Sequence, residues 1–238
     1  MNVESLWRYP VKSMQGEQLD EADVGESGVV GDRQWALVDV DTGLALTARR
    51  QPELLFAAGR LIGPDHVEIE LPDGTITTDD TLLSSWLGRR VELRRAGGGP
   101  GTYEIAADFE DEDGSEWLRW DGPADTFHDS AKTRISLAST ATMGSWDVRR
   151  FRSNVVVTAD APGEEDALIG RTVAIGTAVL DVVKPVGRCV MTTRPQPNGI
   201  ERDLDVLRTI NSTRDGTLAV AMRVATPGTI HVGDGVRS

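Results

Sequence analysis

The chain has 238 residues, 39% of them hydrophobic, which is enough apolar material for one sizeable globular domain or two small ones sharing an interface and excludes disorder throughout. Asp and Glu number 38 against 25 Lys and Arg, a formal charge of -13, which excludes a general nucleic-acid coat because such a protein must neutralise many phosphates. No apolar run nears the roughly 18 to 20 residues of a membrane helix, and no basic segment followed by a long hydrophobic one opens the chain, so a cytoplasmic protein without membrane contact is expected.

In chain order, Trp35-Ala36-Leu37-Val38 is a β-type apolar run ended by the turn residues Asp41-Thr42-Gly43. Residues 65–78 alternate Val67, Ile69 and Leu71 with polar side chains, turn at Pro72-Asp73-Gly74 and return from Ile76, which predicts a hairpin. Asp79 or Asp80 is placed to cap a short helix through Leu87, with Gly88 as its stop. Arg89 to Ala96 alternates as another strand, and Gly97-Gly98-Gly99-Pro100-Gly101 breaks the composition as a loop or domain boundary.

Residues 104–125, including Glu110-Asp111-Glu112-Asp113, read as an acidic solvated loop, with a docking surface for a basic partner as the minority alternative. Ser136 to Met143 reads as a short helix and Asn154 to Ala159 as a strand. Thr172 to Val183 is β-rich with Gly176 as a bulge, and Arg202 to Ile210 makes a helical turn or two. Residues 216–236 hold two strands around Pro227-Gly228, with a turn at Gly233-Asp234-Gly235. Strands outnumber long helical patterns, so the expected fold class is mainly β, a barrel or closely packed β-rich architecture with short covering helices.

One cysteine, Cys189, excludes an internal disulfide and a four-cysteine iron–sulfur cluster, and His66, His128 and His231 show no zinc or di-iron spacing. The most informative segment is Lys184-Pro185-Val186-Gly187-Arg188-Cys189-Val190-Met191-Thr192-Thr193-Arg194-Pro195. It places a potential soft thiolate ligand beside an arginine and two hydroxyls, yet a lone cysteine is as readily an inert buried thiol.

Lys12 and Ser13 beside a restricted turn, and Arg33 before the first strand run, have the chemistry to hold a phosphate, although surface ion pairs account for each alone. Arg149-Arg150-Phe151-Arg152-Ser153-Asn154 combines a positive field with an amide suited to a heterocycle. A serine-hydrolase elbow, a zinc-protease helix, a calcium loop and a dinucleotide fingerprint are all absent from the sequence.

Taken together, YPVKS at 9–13, GDRQW at 31–35, RFRSN at 150–154, KPVGRCVMTT at 184–193 and IHVGDGV at 230–236 resemble the MOSC family, the molybdenum-cofactor sulfurase C-terminal domain family, with its N-terminal β-barrel companion. The functional type most similar is the amidoxime-reducing component class. The resemblance implies a MOSC N-terminal β-barrel-like domain over 1–96 and a MOSC domain over 97–238.

It further implies a molybdenum–molybdopterin cofactor with Cys189 as metal ligand and catalytic residue, and Lys12, Ser13 and Arg33 gripping the pterin phosphate side. Arg152, Asn154 and Arg188 match cofactor contacts, and Thr192 and Thr193 the shell around them. The implied activity is reduction of a small N-hydroxylated substrate with electrons from a separate electron-transfer protein or reductase. A non-catalytic cofactor or sulfur carrier, with Cys189 as ligand or persulfide site, is the alternative. The sequence departs from related patterns at Val186-Gly187, where several relatives carry another cysteine, and at Arg194-Pro195-Gln196-Pro197, where an acidic Asp-Pro turn is usual.

Overall fold

The computed structural model describes residues 1–108 and 114–238. Strands dominate, as the alternating apolar runs predict, and the protein is mainly β. The largest sheet has eight strands in the spatial order Val236–Arg237, Thr172–Ile175, Ala178–Gly187, Thr217–Thr226, Ile135–Ser139, Val155–Val157, Val3–Arg8 and Glu17–Leu19. Neighbours run antiparallel except Ile135–Ser139 beside Val155–Val157. A three-stranded sheet of Gly228–His231, Glu21–Gly25 and Gly28–Val29 adds Ala22, Val24 and Ile230 to the same buried core as Leu6, Leu137, Val155, Leu180 and Val220. Sheet pairing therefore crosses the expected sequence boundary at 96/97, because the strands at both ends of the chain share partners.

A second core lies in the N-terminal half. Trp35–Asp39 pairs with Val91–Arg95, and Ala58–Gly63, His66–Glu70 and Ile76–Thr77 form an antiparallel meander containing the expected hairpin. The helix Asp80–Leu87 starts where expected: the Asp79 carboxylate accepts from the amides of Thr81 and Leu82, satisfying two donors that the first turn leaves open, and the helix ends at Gly88. Its Leu83 is buried with Val11, Leu37, Leu54, Ile69 and Val91, each such side chain stabilising the fold by roughly 1.5–3 kcal/mol.

Four sequence expectations are corrected. Much of 104–125 is strand: Pro100–Ala106 pairs antiparallel with Trp117–Ala124, because Tyr103 is buried and Ile105 packs on the same side, while Glu104 between them alternates to the other face. Glu110-Asp111-Glu112-Asp113 lies outside the described residues. Ser136–Met143 is the end of the strand Ile135–Ser139 followed by one helical turn, Thr140–Met143, capped by the Ser139 hydroxyl. Gly176 makes a hairpin turn at φ 58°, where an added Cβ would lie 2.3 Å from the Thr229 carbonyl oxygen. The helical turns expected over 202–210 are a longer helix, Asp205–Arg214, anchored by Val206 and Ile210.

Candidate anion-binding site around Cys189

Two N-terminal segments meet first. The Arg33 amide donates to the Tyr9 carbonyl at 2.7 Å, the Trp35 amide to Pro10 at 3.0 Å and the Lys12 amide to Trp35 at 2.8 Å, so the YPVKS and GDRQW segments run side by side. Between them the Tyr9 ring is buried with the guanidinium carbons of Arg152 and Arg33 at 4.3 and 5.0 Å from its centroid. Burial raises the Tyr9 phenol to about 12 against the opposing charges of Arg152 and Arg33, so the ring is neutral and its face receives both cations. Ser13, Arg33 and Arg152 all sit at positive φ, 67°, 51° and 53°. Non-glycine residues in that region are costly and cluster at functional sites, so this coincidence marks the place.

These segments form one wall of a cavity of about 340 Å³ whose lining includes Lys12, Ser13, Arg33, Arg152, Arg188, Cys189 and Thr192. Among the described residues seven of the lining are Arg or Lys and one is a carboxylate, Asp129, in a chain whose overall charge is -13. The Lys12 ammonium is buried, donates to the Phe127 carbonyl at 2.9 Å and to Asp129 at 2.8 Å, and sits 3.9 Å above the Tyr103 ring centre. Burial pulls it below the ordinary lysine range, with Asp129 opposing.

Arg152 donates one N–H to Met14, and Arg188 donates to the carbonyls of Leu218 and Phe151, each at 2.7 Å. The remaining Nη2 of each is buried with no protein partner. Burial lowers both guanidiniums to about 10, with Arg33 adding to the shift at Arg152. Two desolvated donors, on cations that make no ion pair among the described residues, call for an anion in the cavity.

Cys189 lies two residues beyond the long strand Ala178–Gly187 and immediately precedes a single 3-10 turn, Val190–Thr193. The residue is partly exposed, and its sulfur lies 3.8 Å from Arg49 Nη2. Its carbonyl accepts from the Thr192 hydroxyl at 3.0 Å, so Thr192 shapes the cysteine turn as well as lining the cavity. Thr193 and Asn154 lie outside the lining. Thr193 is buried and donates to Val190, while Asn154 accepts from the Ser136 amide and donates to the Trp7 carbonyl, joining three strands.

The three arginines of the RFRSN region separate by role. Arg149 lies outside the lining and pairs with Asp147; Arg150 and Arg152 both line the cavity, but Arg150 is buried and donates to the carbonyls of Thr192, Arg194 and Glu201, while Arg152 keeps a buried Nη2 without a protein partner. Arg49, Thr47, His128, Asp129, Ser130 and Thr133 join the lining without having been singled out from sequence. Arg49 offered one signal, a basic residue in a polar turn just before Pro52, but nothing local pointed it at a cysteine far along the chain. His128 is held well below its ordinary value by burial and by Arg33, and its Nδ1 accepts from the Ser130 amide, so it is a neutral ring.

Among the described residues no group of three His, Cys, Asp or Glu is arranged to hold a metal. The donor set is instead one cysteine sulfur inside a cationic cavity. That set fits a metal arriving with its own anionic organic ligand, and the two orphaned guanidinium N–H groups fit that anion. Among the described residues no helix is long and apolar enough to cross a membrane.

Comparison with known proteins agrees with this geometry. Residues 1–85 match the model of the MOSC N-terminal beta barrel domain and residues 128–237 that of the MOSC domain. The chain is 26% identical to the molybdenum cofactor sulfurase of Drosophila grimshawi over 91% of its own length, but spans only 31% of that relative. It is 24% identical to the human mitochondrial amidoxime-reducing component 1, covering 98% of this chain and 82% of the relative. The YUAD protein of Bacillus subtilis is similar in structure with a TM-score of 0.45 and 12% identity, covering 99% of this chain and 93% of that one. With both domain models matched in order and the cysteine loop, RFRSN and YPVKS segments brought to one cavity, the chain belongs to the MOSC family.

Proposed function

We propose that this protein is a molybdenum-cofactor-dependent oxidoreductase that reduces small N-hydroxylated compounds with electrons from a separate redox partner. The observation that carries the reading is Cys189 in the same cavity as Lys12, Ser13, Arg33, Arg152 and Arg188, with a buried, partnerless N–H on each of the last two. The family and the two named relatives support an association with the molybdenum cofactor.

The molybdenum–pterin group, when bound, supplies the two-electron redox centre that takes oxygen from nitrogen. Everything else falls to the chain. Cys189 presents its sulfur as metal ligand at the start of a turn braced by Thr192, with Thr193 buttressing the same turn. Lys12, Ser13 and Arg33 hold the phosphate side, and Arg152 and Arg188 supply the remaining positive charge. Asn154 fixes the strand that follows Arg152, so its contribution is positioning. Net removal of the hydroxyl oxygen as water consumes two electrons and two protons from outside.

The test is molybdenum per chain by elemental mass spectrometry, with protein made in a cofactor-producing host and Cys189→Ser prepared in parallel. Near-stoichiometric metal that is lost in the variant, followed by turnover of an amidoxime with a competent electron donor, is the expected result. Loaded protein that reduces no amidoxime or N-hydroxy base overturns the reductase reading and favours a cofactor or sulfur carrier. That second reading draws on the partial exposure of Cys189 and on the sulfurase relative, and it predicts pterin binding or a Cys189 persulfide without turnover.

A further inference from the structure

Among the described residues Asp129 is the one carboxylate lining a strongly cationic cavity, and it stands directly on Lys12. Its Oδ1 accepts from Lys12 Nζ and from the Tyr103 hydroxyl, both at 2.8 Å. Both bonds fall on one oxygen. Oδ2 makes no hydrogen bond among the described residues, and 63% of the side chain is accessible. Burial of its surroundings acts to raise Asp129, but the charges of Lys12 and Arg49 and the bond from Lys12 hold it well below the usual carboxylate range. An ionised acceptor is thus fixed in front of the ammonium that an incoming anion must reach.

This arrangement has a chemical consequence. A fully ionised oxyanion approaching Lys12 meets a negative oxygen that it can only repel. An oxyanion that keeps a proton can donate its O–H to Oδ2 while its other oxygens accept from the surrounding cations, and such charge-assisted bonds are short and strong. A phosphate monoester retains one proton down from its second ionisation, near pH 6, whereas sulfate retains none at any physiological pH.

We infer that Asp129 is a specificity-determining residue that makes this cavity choose protonated oxyanions, phosphate monoesters in their singly ionised form, over fully ionised ones such as sulfate. The inference rests on the reading of the Lys12, Ser13 and Arg33 side as the phosphate-binding end of the proposed cofactor site. A carboxylate acting through its charge alone would repel the doubly charged anion more but would still weaken the singly charged one, so its removal would tighten both; an acceptor for the phosphate O–H is marked by phosphate that gains nothing when the carboxylate is removed.

The experiment is isothermal titration of the full-length, cofactor-free chain with inorganic phosphate and with sulfate, at about pH 6, where most phosphate is singly charged. The wild type is expected to bind phosphate at least about tenfold more tightly than sulfate, a ratio worth about one charge-assisted bond. In Asp129→Asn and in Asp129→Ser, each checked for folding by its thermal midpoint, the ratio is expected to fall to within about threefold, with sulfate bound more tightly and phosphate no more tightly than in the wild type; phosphate that tightens along with sulfate in both variants is a charge effect alone and overturns the inference. In Lys12→Met both anions are expected to be lost.

Equal affinities in the wild type, or an unchanged ratio in both Asp129 variants, overturn the inference while leaving the phosphate reading standing. Binding insensitive to Lys12→Met places the anion elsewhere and overturns it as well. A wild type that binds neither anion removes the inference and the phosphate reading together.

Discussion

The Arg49 guanidinium lies 3.8 Å from the Cys189 sulfur although the two residues are 140 positions apart. The contact joins the N-terminal half to the cysteine loop and puts a fixed positive charge beside the proposed metal ligand. We predict that Arg49→Met folds normally but retains molybdenum several-fold less well than wild type, because one cation of an anion-binding cavity is gone. Elemental analysis of protein made in a cofactor-producing host, before and after prolonged dialysis, measures this directly. Unchanged retention shows that the charge is dispensable.

Arg150 supports the same loop from behind. It is 8% exposed and donates to three carbonyls, Thr192 at 3.1 Å, Arg194 at 3.4 Å and Glu201 at 2.7 Å. Replacement by Met leaves those carbonyls without a donor, and a loss of about 3 kcal/mol in chemical denaturation is expected. Arg150→Lys, which keeps the charge but not the planar fork, is expected to recover about half of that loss.

For Asp129 the pH dependence has a definite sign. Its carboxyl is held below the unfolded value of about 3.9, so between the two values the unfolded chain binds more protons and stability rises with pH. The contribution is fully present above the unfolded value and is lost as pH falls through the folded one. The stability difference between wild type and Asp129→Asn should therefore shrink as pH drops from about 5 to about 2. Urea denaturation of both proteins across that range reads it, and a gap that stays constant with pH contradicts the assignment.

Tyr9 separates ring from hydroxyl. Two cations lie against its buried face, so Tyr9→Leu should cost about 2–4 kcal/mol by removing both cation–π contacts. Tyr9→Phe keeps the face and should change thermal stability by much less. If the two variants are equally destabilised, the guanidiniums are not held by the ring.

Local patterns read well wherever burial on one face imposed them. The hairpin over 65–78, the helix between Asp79 and Gly88 and the strand at 155–157 follow from alternation or capping chemistry contained within a few residues. Over 104–125 the acidic composition points to a loop and hides the inward alternation of Tyr103 and Ile105, whose burial depends on Phe127, Ala36 and Val38 packing against them. Composition reported the solvent face, and pairing decided the structure.

The site divides in the same way. By itself the sequence determined which chemical groups are present: one thiol, the Lys12-Ser13 pair, Arg33, and the arginines at 150, 152 and 188, all within motifs that resemble one family. Only the tertiary structure decided which of them share a cavity, since Asn154 and Thr193 turn to structural bonds while Arg49 and Asp129 come in from loops of no sequence distinction. The reason is physical: a side chain's identity is local, but its burial, its partners and the charge around it are set by strands paired across the whole length of the chain.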